Sequence, residues 1–448
     1  MTPFPISATS PIEHSGDLPD SADCVVVGGG VIGVMTAYFL AKAGQSVVLL
    51  EKGRVAAEQS SRNWGWIRQQ GRDPAELPIS IEAARHWRTL VQHLDTDIGL
   101  TQGGVLYIAE DQAAMETYER WLPHAAAHDL DTVLLDKPGV IAKLPGAQGN
   151  FAGGLWTASD MRAEPWLAVP ALARLAAREG AVIRENCAAR LLDIQGGRIA
   201  GVITEAGRIA TSSAVVAGGA WSRLLLRRAG IDIPQLSVRA SVTATEPLPE
   251  VTQIAAARDF MAFRRRADGG YTVAAESFHE LFVGPDAFRS FRHFLPQLKA
   301  APFDTHYFPA APKGYPDAWT TPRNWSGDAP SPFEAMRVLN PSPNIGKLSE
   351  ATRRFAAMYP DLGPVRMRAA WAGLIDTMPD LVPVVDRVEA VPGLVIATGM
   401  SGHGFGIGPG MGRVAADLAM GNAPGHDLTR FRLSRFTDGS KIDLGTAA

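Results

Sequence analysis

Four glycine-punctuated stretches hold the residues of this chain that could do chemistry. In "VVVGGGVIGVM" the spacing Gly28-x-Gly30-x-x-Gly33 follows an apolar run at 24–27, and a second apolar run at 46–50 leads into Glu51 and Lys52. That combination suits a dinucleotide: Gly28 permits a tight turn, Gly30 lets a pyrophosphate approach the backbone, and Gly33 lets helix and strand pack closely. Val31 and Ile32 open the helix, whose N–H groups and positive dipole end face the phosphates. Glu51 is placed to bind ribose hydroxyls, with Lys52 beside it. In "SSRNWGWIR" the residues Ser60, Ser61, Arg62, Asn63, Trp64 and Gly65 form a polar loop that is expected at the same nucleotide. Trp64 and Trp66 can wall a pocket, and Arg68 can grip a carboxylate through its two-pronged guanidinium. The stretch "VVAGGAWS" ends a buried strand in Gly218 and Gly219 followed by Trp221, bringing backbone close to the same ligand. The fourth, "GMSGHGFGIGPGMG" at 399–412, carries glycine at every second position from Gly402, interleaved with His403, Phe405 and Pro409.

These residues need elements to hold them. The pattern predicts a strand at 24–27, a helix at about 31–43 stopped by Gly44, and a strand at 46–50, which together make a βαβ unit. Helices are expected from Pro78 into the 90s, over 112–128, from Pro165 to Gly180 and over 287–299. A proline-rich irregular run covers 301–344. Strands return in "RMRAAWAGL", "LVPVVDRV" and "GLVIATG", the last feeding the glycine-rich stretch. A helix is expected to leave that stretch at Pro409 and stop at Gly421.

The bulk numbers bound the class. A chain of 448 residues, 46% apolar and 20% charged, predicts two globular domains in solution. A formal charge of -3 without a basic stripe argues against nucleic acid. The two cysteines, Cys24 and Cys187, cannot build a disulfide framework and lack metal-site spacing, so no metal is expected and a cytoplasmic home is. Residues 1–22 are proline-rich and acidic, and read as a disordered leader. No apolar run approaches the roughly 20 residues that cross a bilayer.

Taken in order, the fingerprint at 28–51, "DMRAEP" at 160–165, "VVAGGAWS", "WAGLIDTMPDLVPVV" at 371–385 and "ATGMSGHGFGIGPG" at 397–410 resemble the FAD-dependent D-amino-acid oxidase superfamily. The likeness is to the branch holding sarcosine oxidase, glycine oxidase and D-amino-acid dehydrogenases. It implies an α/β FAD-binding Rossmann-like domain of the glutathione-reductase type, with an inserted α+β substrate domain built on an antiparallel sheet. The FAD-binding segments would be 23–100, 158–235 and 361–448, and the substrate domain 101–157 with 236–360. It also implies that Gly402, His403, Gly404, Phe405 and Gly406 lie along the flavin ring, offering backbone N–H groups where negative charge develops on reduction. The helix dipole would add to them.

The resemblance implies oxidation of the C–N bond of a small amine or amino acid (a D-amino acid or an N-substituted one) by hydride transfer to flavin N5. The resulting imine would hydrolyse. Relatives tether the flavin through a cysteine near the position of Gly373, so non-covalent FAD is expected here. The lysine that binds substrate carboxylate in sarcosine oxidase is replaced by Gly406. No lysine stands near Glu280 or Leu281, where that enzyme's oxygen-activating lysine would fall, so oxygen and a quinone-type carrier both stay open as acceptors. His403, Arg68 and Tyr271 are the candidate catalytic residues, while Arg264 to Arg266 read as a solvated strand end. A flavoprotein subunit of a hetero-oligomeric amine dehydrogenase is the alternative, with 301–344 as a docking surface, and a flavin aromatic hydroxylase is a third reading.

Overall fold

The protein is described from a computed structural model covering residues 5–276, 278–300 and 305–445. A six-stranded sheet runs in the order Val384–Arg387, Leu394–Thr398, Ala214–Val216, Cys24–Val27, Val47–Leu50, Val182–Arg184. Its strands are parallel except at the 384–387 edge, which pairs antiparallel. Short Val- and Leu-rich strands of this kind suit burial on both faces. One face is covered by the helices Val31–Lys42, Leu77–Leu90, Pro165–Arg178 and Gly404–Met420 around a core holding Val26, Leu49, Trp87, Leu172 and Met411. The other face packs on a three-stranded meander, residues 189–210, through Val25, Val48, Leu192, Ile199 and Val202.

A second, ten-stranded sheet lies beside the first. It is mixed rather than antiparallel: Ala255–Arg258 runs parallel to Val105–Ala109, and His279–Phe282 parallel to Thr305–Phe308. The strand Met367–Thr377, expected with the FAD-binding segments, pairs with Leu236–Thr245 in this sheet, from Leu236 opposite Thr377 to Thr245 opposite Met367. It therefore ties the two sheets together just before the 384–398 hairpin. Among the described residues, no helix is long and apolar enough to cross a membrane, and no cluster of His, Cys, Asp or Glu could hold a metal ion.

The leader is ordered where it is described, against expectation. Glu185, a nearly buried carboxylate, draws it in by accepting from Glu13 N and His14 N as well as Val55 N. Ile6 is buried, Arg54 donates to Ser10 O, and Ser21 bridges Ala210. An ion buried this deeply needs donors, and backbone N–H groups of the leader supply them. Residues 1–4 of that expected leader lie outside the described residues.

The glycine-rich stretch is helical earlier than expected. The helix begins at Gly404, and Pro409 stands inside it. Much of the glycine alternation serves packing, in two i, i+4 rows. A Cβ on Gly408 would come within 2.6 Å of Val31 and one on Gly412 within 2.4 Å of Met35, both on the helix Val31–Lys42. A Cβ on Gly410 would reach Ile79 O at 2.6 Å on the helix Leu77–Leu90. Gly412→Ala is therefore expected to cost about 1–3 kcal/mol by overpacking despite alanine's better helix propensity, read as a lower melting temperature.

Candidate functional site

A cleft runs over the carboxyl ends of the parallel strands, lined by Gly28 to Ile32, Glu51, Lys52, Ser60, Asn63, Gly218, Gly219 and Trp221. Gly28 has φ +115°, and a Cβ there would stand 2.4 Å from Ala217 O, so the turn and the neighbouring strand end demand glycine. Gly33 does not line the cleft; its Cβ would meet Gly28 O at 1.9 Å, the close helix–strand packing its position predicts. Glu51 is fixed by two backbone donors, Gly29 N at 2.8 Å and Gly53 N at 2.7 Å, which leave further lone pairs facing the cleft. Ser60 Oγ accepts from Val31 N at 2.9 Å, so that helix N–H is already taken. Lys52 Nζ pairs with Glu58 at 2.6 Å and lies 4.4 Å over the Trp221 ring, while Trp221 Nε1 donates to Glu58 at 2.9 Å.

The second compartment is a cavity of about 760 Å³, within the range of small-molecule sites. Gln59, Asn63, Gly402 and Phe405 line both compartments, so the cavity opens onto the inner end of the cleft. Gln59 Oε1 is buried there without a hydrogen-bond partner. A Cβ on Gly373 would reach it at 2.2 Å, so a side chain at that position would displace the Gln59 amide. A cradle cleared by glycines, a fixed acid at the strand end and an orphaned amide oxygen at the junction fit a flavin dinucleotide that enters through the cleft and ends at the cavity.

Most predicted residues meet at this junction. Gly402, at φ +87°, turns the chain into the helix Gly404–Met420, which His403 precedes as N-cap. The first turn points its N–H groups and the positive end of the dipole at the place where the two compartments join. His403 lines the cavity, with Nδ1 3.2 Å from Glu76 Oε2. Burial pushes its pKa down, and Arg72 reinforces this against the pull of Glu76. A neutral ring that donates from Nδ1 to Glu76 keeps Nε2 as an acceptor. Arg68 also lines the cavity, donating to Gln70 O at 3.0 Å, its guanidinium 5.0 Å over the Tyr107 ring. Trp64 and Trp66 form a wall, and Trp66 Nε1 is buried without a partner. A Cβ on Gly406 would meet Trp66 O and Ile67 Cα at 3.2 Å, so a carboxylate-binding side chain has little room there.

Other expectations are corrected. Tyr271 does not face the site: it is fully buried, its hydroxyl accepts from Val251 N at 2.9 Å, and its ring packs on Phe355. Arg264 and Arg266 are buried rather than solvated. Arg264 pairs with Glu164 at 2.7 Å and donates to Trp64 O, bracing the loop from behind. Gly65 backs onto that guanidinium. Ser61 is buried outside both compartments, and Arg62 lines the cavity with its stem while its guanidinium holds Ala372 O and Asn340. The expected oxygen-side position Glu280 is buried against Arg239 at 2.7 Å.

Three site residues escaped the sequence reading. Arg72 is 5% exposed, lines the cavity, and has Nη1 without a partner. Burial, with Arg68 adding repulsion, pushes its pKa down to about 9. Glu276 lines the same cavity and is pushed up to about 7 by burial, although Arg68 and a hydrogen bond from Tyr107 oppose it. Tyr107 itself is pushed up to about 12 by burial. The available signal was Arg72 standing four residues after Arg68 in one loop, and an acid closing the apolar strand Tyr271–Ala274.

A Rossmann-type cleft that opens onto a cavity lined by three arginines and apolar walls defines a dinucleotide-dependent oxidoreductase. The sequence profile of the DAO family, FAD dependent oxidoreductase, matches residues 23–418; the chain belongs to that family, and FAD is its cofactor. The structure of L-amino acid deaminase from Proteus myxofaciens in complex with anthranilate superposes with a TM-score of 0.90 at 30% identity, covering 95% of this chain and 96% of that one. The D-amino acid dehydrogenase of Rhodopseudomonas palustris (strain HaA2) is 25% identical over 93% of this chain and 98% of its own length. Human mitochondrial sarcosine dehydrogenase is 29% identical over 257 residues, 55% of this chain but only 28% of that longer protein.

Proposed function

We propose that this protein oxidises the Cα–N bond of an α-amino acid with a bulky apolar side chain, giving an imine that hydrolyses to a 2-oxo acid. The observation that carries the substrate class is the cavity. One wall presents Arg68 and Arg72, while Val238, Val242, Leu281, Phe294 and Ile375 form an apolar lobe. Two guanidiniums suit a carboxylate and an apolar lobe suits the side chain. The whole-chain likeness to proteins named L-amino acid deaminase supports the L series.

Bound FAD supplies the two-electron acceptor for the substrate's α-hydrogen. The protein's part is placement. Arg68 and Arg72 hold the carboxylate, Trp66 Nε1 offers a further donor, and His403 Nε2 can accept a proton from the ammonium so that the amine reacts neutral. The N-terminal end of the helix Gly404–Met420 stabilises negative charge that accumulates at the junction. Trp64, Trp66 and Phe405 exclude water from it.

The acceptor we propose is a carrier other than oxygen, because no lysine lines the cavity among the described residues. FAD is held without a covalent bond: Gly373 offers no thiol, and Cys24 and Cys187 are both buried outside the two compartments.

The test is anaerobic reduction of the purified flavoprotein by a panel of L- and D-amino acids. L-Phenylalanine and L-leucine should bleach the flavin fastest, with slow recovery in air and quick recovery with a soluble quinone. Acid precipitation should leave the flavin in the supernatant. Bleaching by glycine or sarcosine alone would remove the bulky-substrate reading, and a need for a second subunit would revive the hetero-oligomer.

A further inference from the structure

Arg68 is not electrically free before substrate arrives. Glu276 is the only carboxylate lining the cavity among the described residues, and it shares the wall with Arg68, Arg72 and Tyr107. Its surroundings are unusually complete for a loop acid. Arg68 faces it from the loop after Trp66–Ile67, Tyr107 hydrogen-bonds it from the strand Val105–Ala109, Tyr118 adds its field from the helix Gln112–Ala127, and Asp259 repels from a neighbouring turn, while Arg72 lines the same cavity beside Arg68. His279, on the strand that follows, lines the same cavity. A substrate carboxylate at Arg68 and Arg72 would bring a second anion into this desolvated wall. Two carboxylates sharing one buried site cannot both stay ionised cheaply.

We propose that Glu276 is a built-in counter-anion of Arg68, and that a carboxylate ligand binds together with one proton, taken up by Glu276. The balance is simple: the ligand enters as an anion, one proton comes from solvent, and no bond to the ligand forms. Glu276 thus sets the pH at which the site accepts substrate and keeps Arg68 from being a bare cation in the free enzyme. The sign follows from its position. Below its titration near pH 7 the acid is already neutral and Arg68 is open. Above that, the ligand must drive protonation, so binding weakens as pH rises, by up to about tenfold per pH unit. Arg72 stays charged until about pH 9, and Tyr107 stays protonated to about 12, so neither titrates in this window.

This inference rests on the carboxylate reading of the cavity, and benzoate, which has no amine to titrate, separates the two. Benzoate binding to the FAD-loaded protein would be followed by flavin absorbance from pH 6.5 to 8.5, and by calorimetry in buffers of different ionisation enthalpy. The expected result is a Kd that rises by about tenfold or more across that range, with uptake approaching one proton at the alkaline end. Glu276→Gln should give a flat Kd that is tighter than wild type at pH 8.5. The calorimetry on wild type decides the matter even if the variant folds poorly. A pH-independent Kd without proton uptake, or an unchanged slope in Glu276→Gln, overturns the proposal. Failure of benzoate to bind at any pH overturns the carboxylate reading beneath it.

Discussion

Replacing Arg72 with methionine is expected to raise the KM for a carboxylate-bearing substrate by about two orders of magnitude, equivalent to some 3 kcal/mol of lost charge-assisted binding. The same change is expected to leave the melting temperature of the ligand-free protein unchanged or higher. The two halves come from one fact. Arg72 is buried, its Nη1 has no partner, and its main charged relief is the nearby Glu76, with Asp160 adding less. A guanidinium kept so destabilises the empty site, and methionine of similar length removes that cost while still filling the space. A structural arginine behaves oppositely, losing stability on truncation with little effect on substrate. Arg68→Met should show a smaller KM increase, because Arg68 already donates to Gln70 O and lies over the Tyr107 ring. The double variant should cost less than the sum of the singles, since both arginines serve one carboxylate. A KM within threefold of wild type for Arg72→Met would remove it from the site.

How far the sequence could be read depends on what each residue's role asks of the chain locally. Gly28, Gly30 and Gly33 were legible because a phosphate turn writes its backbone demands at fixed spacing within one βαβ unit. Arg68 and His403 were legible as site residues because they sit in loops next to that unit. The facing of Tyr271 was not. A strand residue's side is set by register, and this register depends on Thr272 pairing with Ala244, a partner 28 residues away in sequence. The glycine run misled in a different way. Glycine at every second position reads as a loop against a ligand, yet in a helix it makes two i, i+4 rows, and those rows pack on Val31, Met35 and Ile79. Of the run's glycines, only Gly402, Gly404 and Gly406 line the compartments among the described residues. Arg72 and Glu276 stayed hidden because neither belongs to a motif, and the cavity that unites them is built from strands far apart in the chain.

Arg264→Met is the change expected to damage the fold most, by about 3–5 kcal/mol, because it strands a buried carboxylate. Arg264 is 0% exposed and its partner Glu164 is 1% exposed. Two bonds, at 2.9 and 2.7 Å, join them across 100 residues of sequence. Burial alone would push the Glu164 carboxyl up, but the Arg264 guanidinium outweighs it and holds the pKa below the ordinary value of 4.5. The contribution is therefore fully present above about pH 4.5 and is lost as pH falls through the lower folded value. Without Arg264, burial dominates and the carboxyl rises, so the stability gap between variant and wild type should narrow as pH is lowered from 7 toward 4. Glu164 has a second task, accepting from Ala267 N at 2.7 Å, so Glu164→Gln should be milder than Arg264→Met. The double variant Arg264→Met/Glu164→Leu should recover much of the loss, since an apolar pair of similar volume carries no stranded charge. Function should follow the carbonyl of Trp64, which Arg264 holds. Released from behind, the Trp64–Gly65–Trp66 wall loosens, and the double variant should regain stability while its KM stays raised. Full recovery of both would show that the ion pair braces the core alone and leaves the placement of the loop to its own packing.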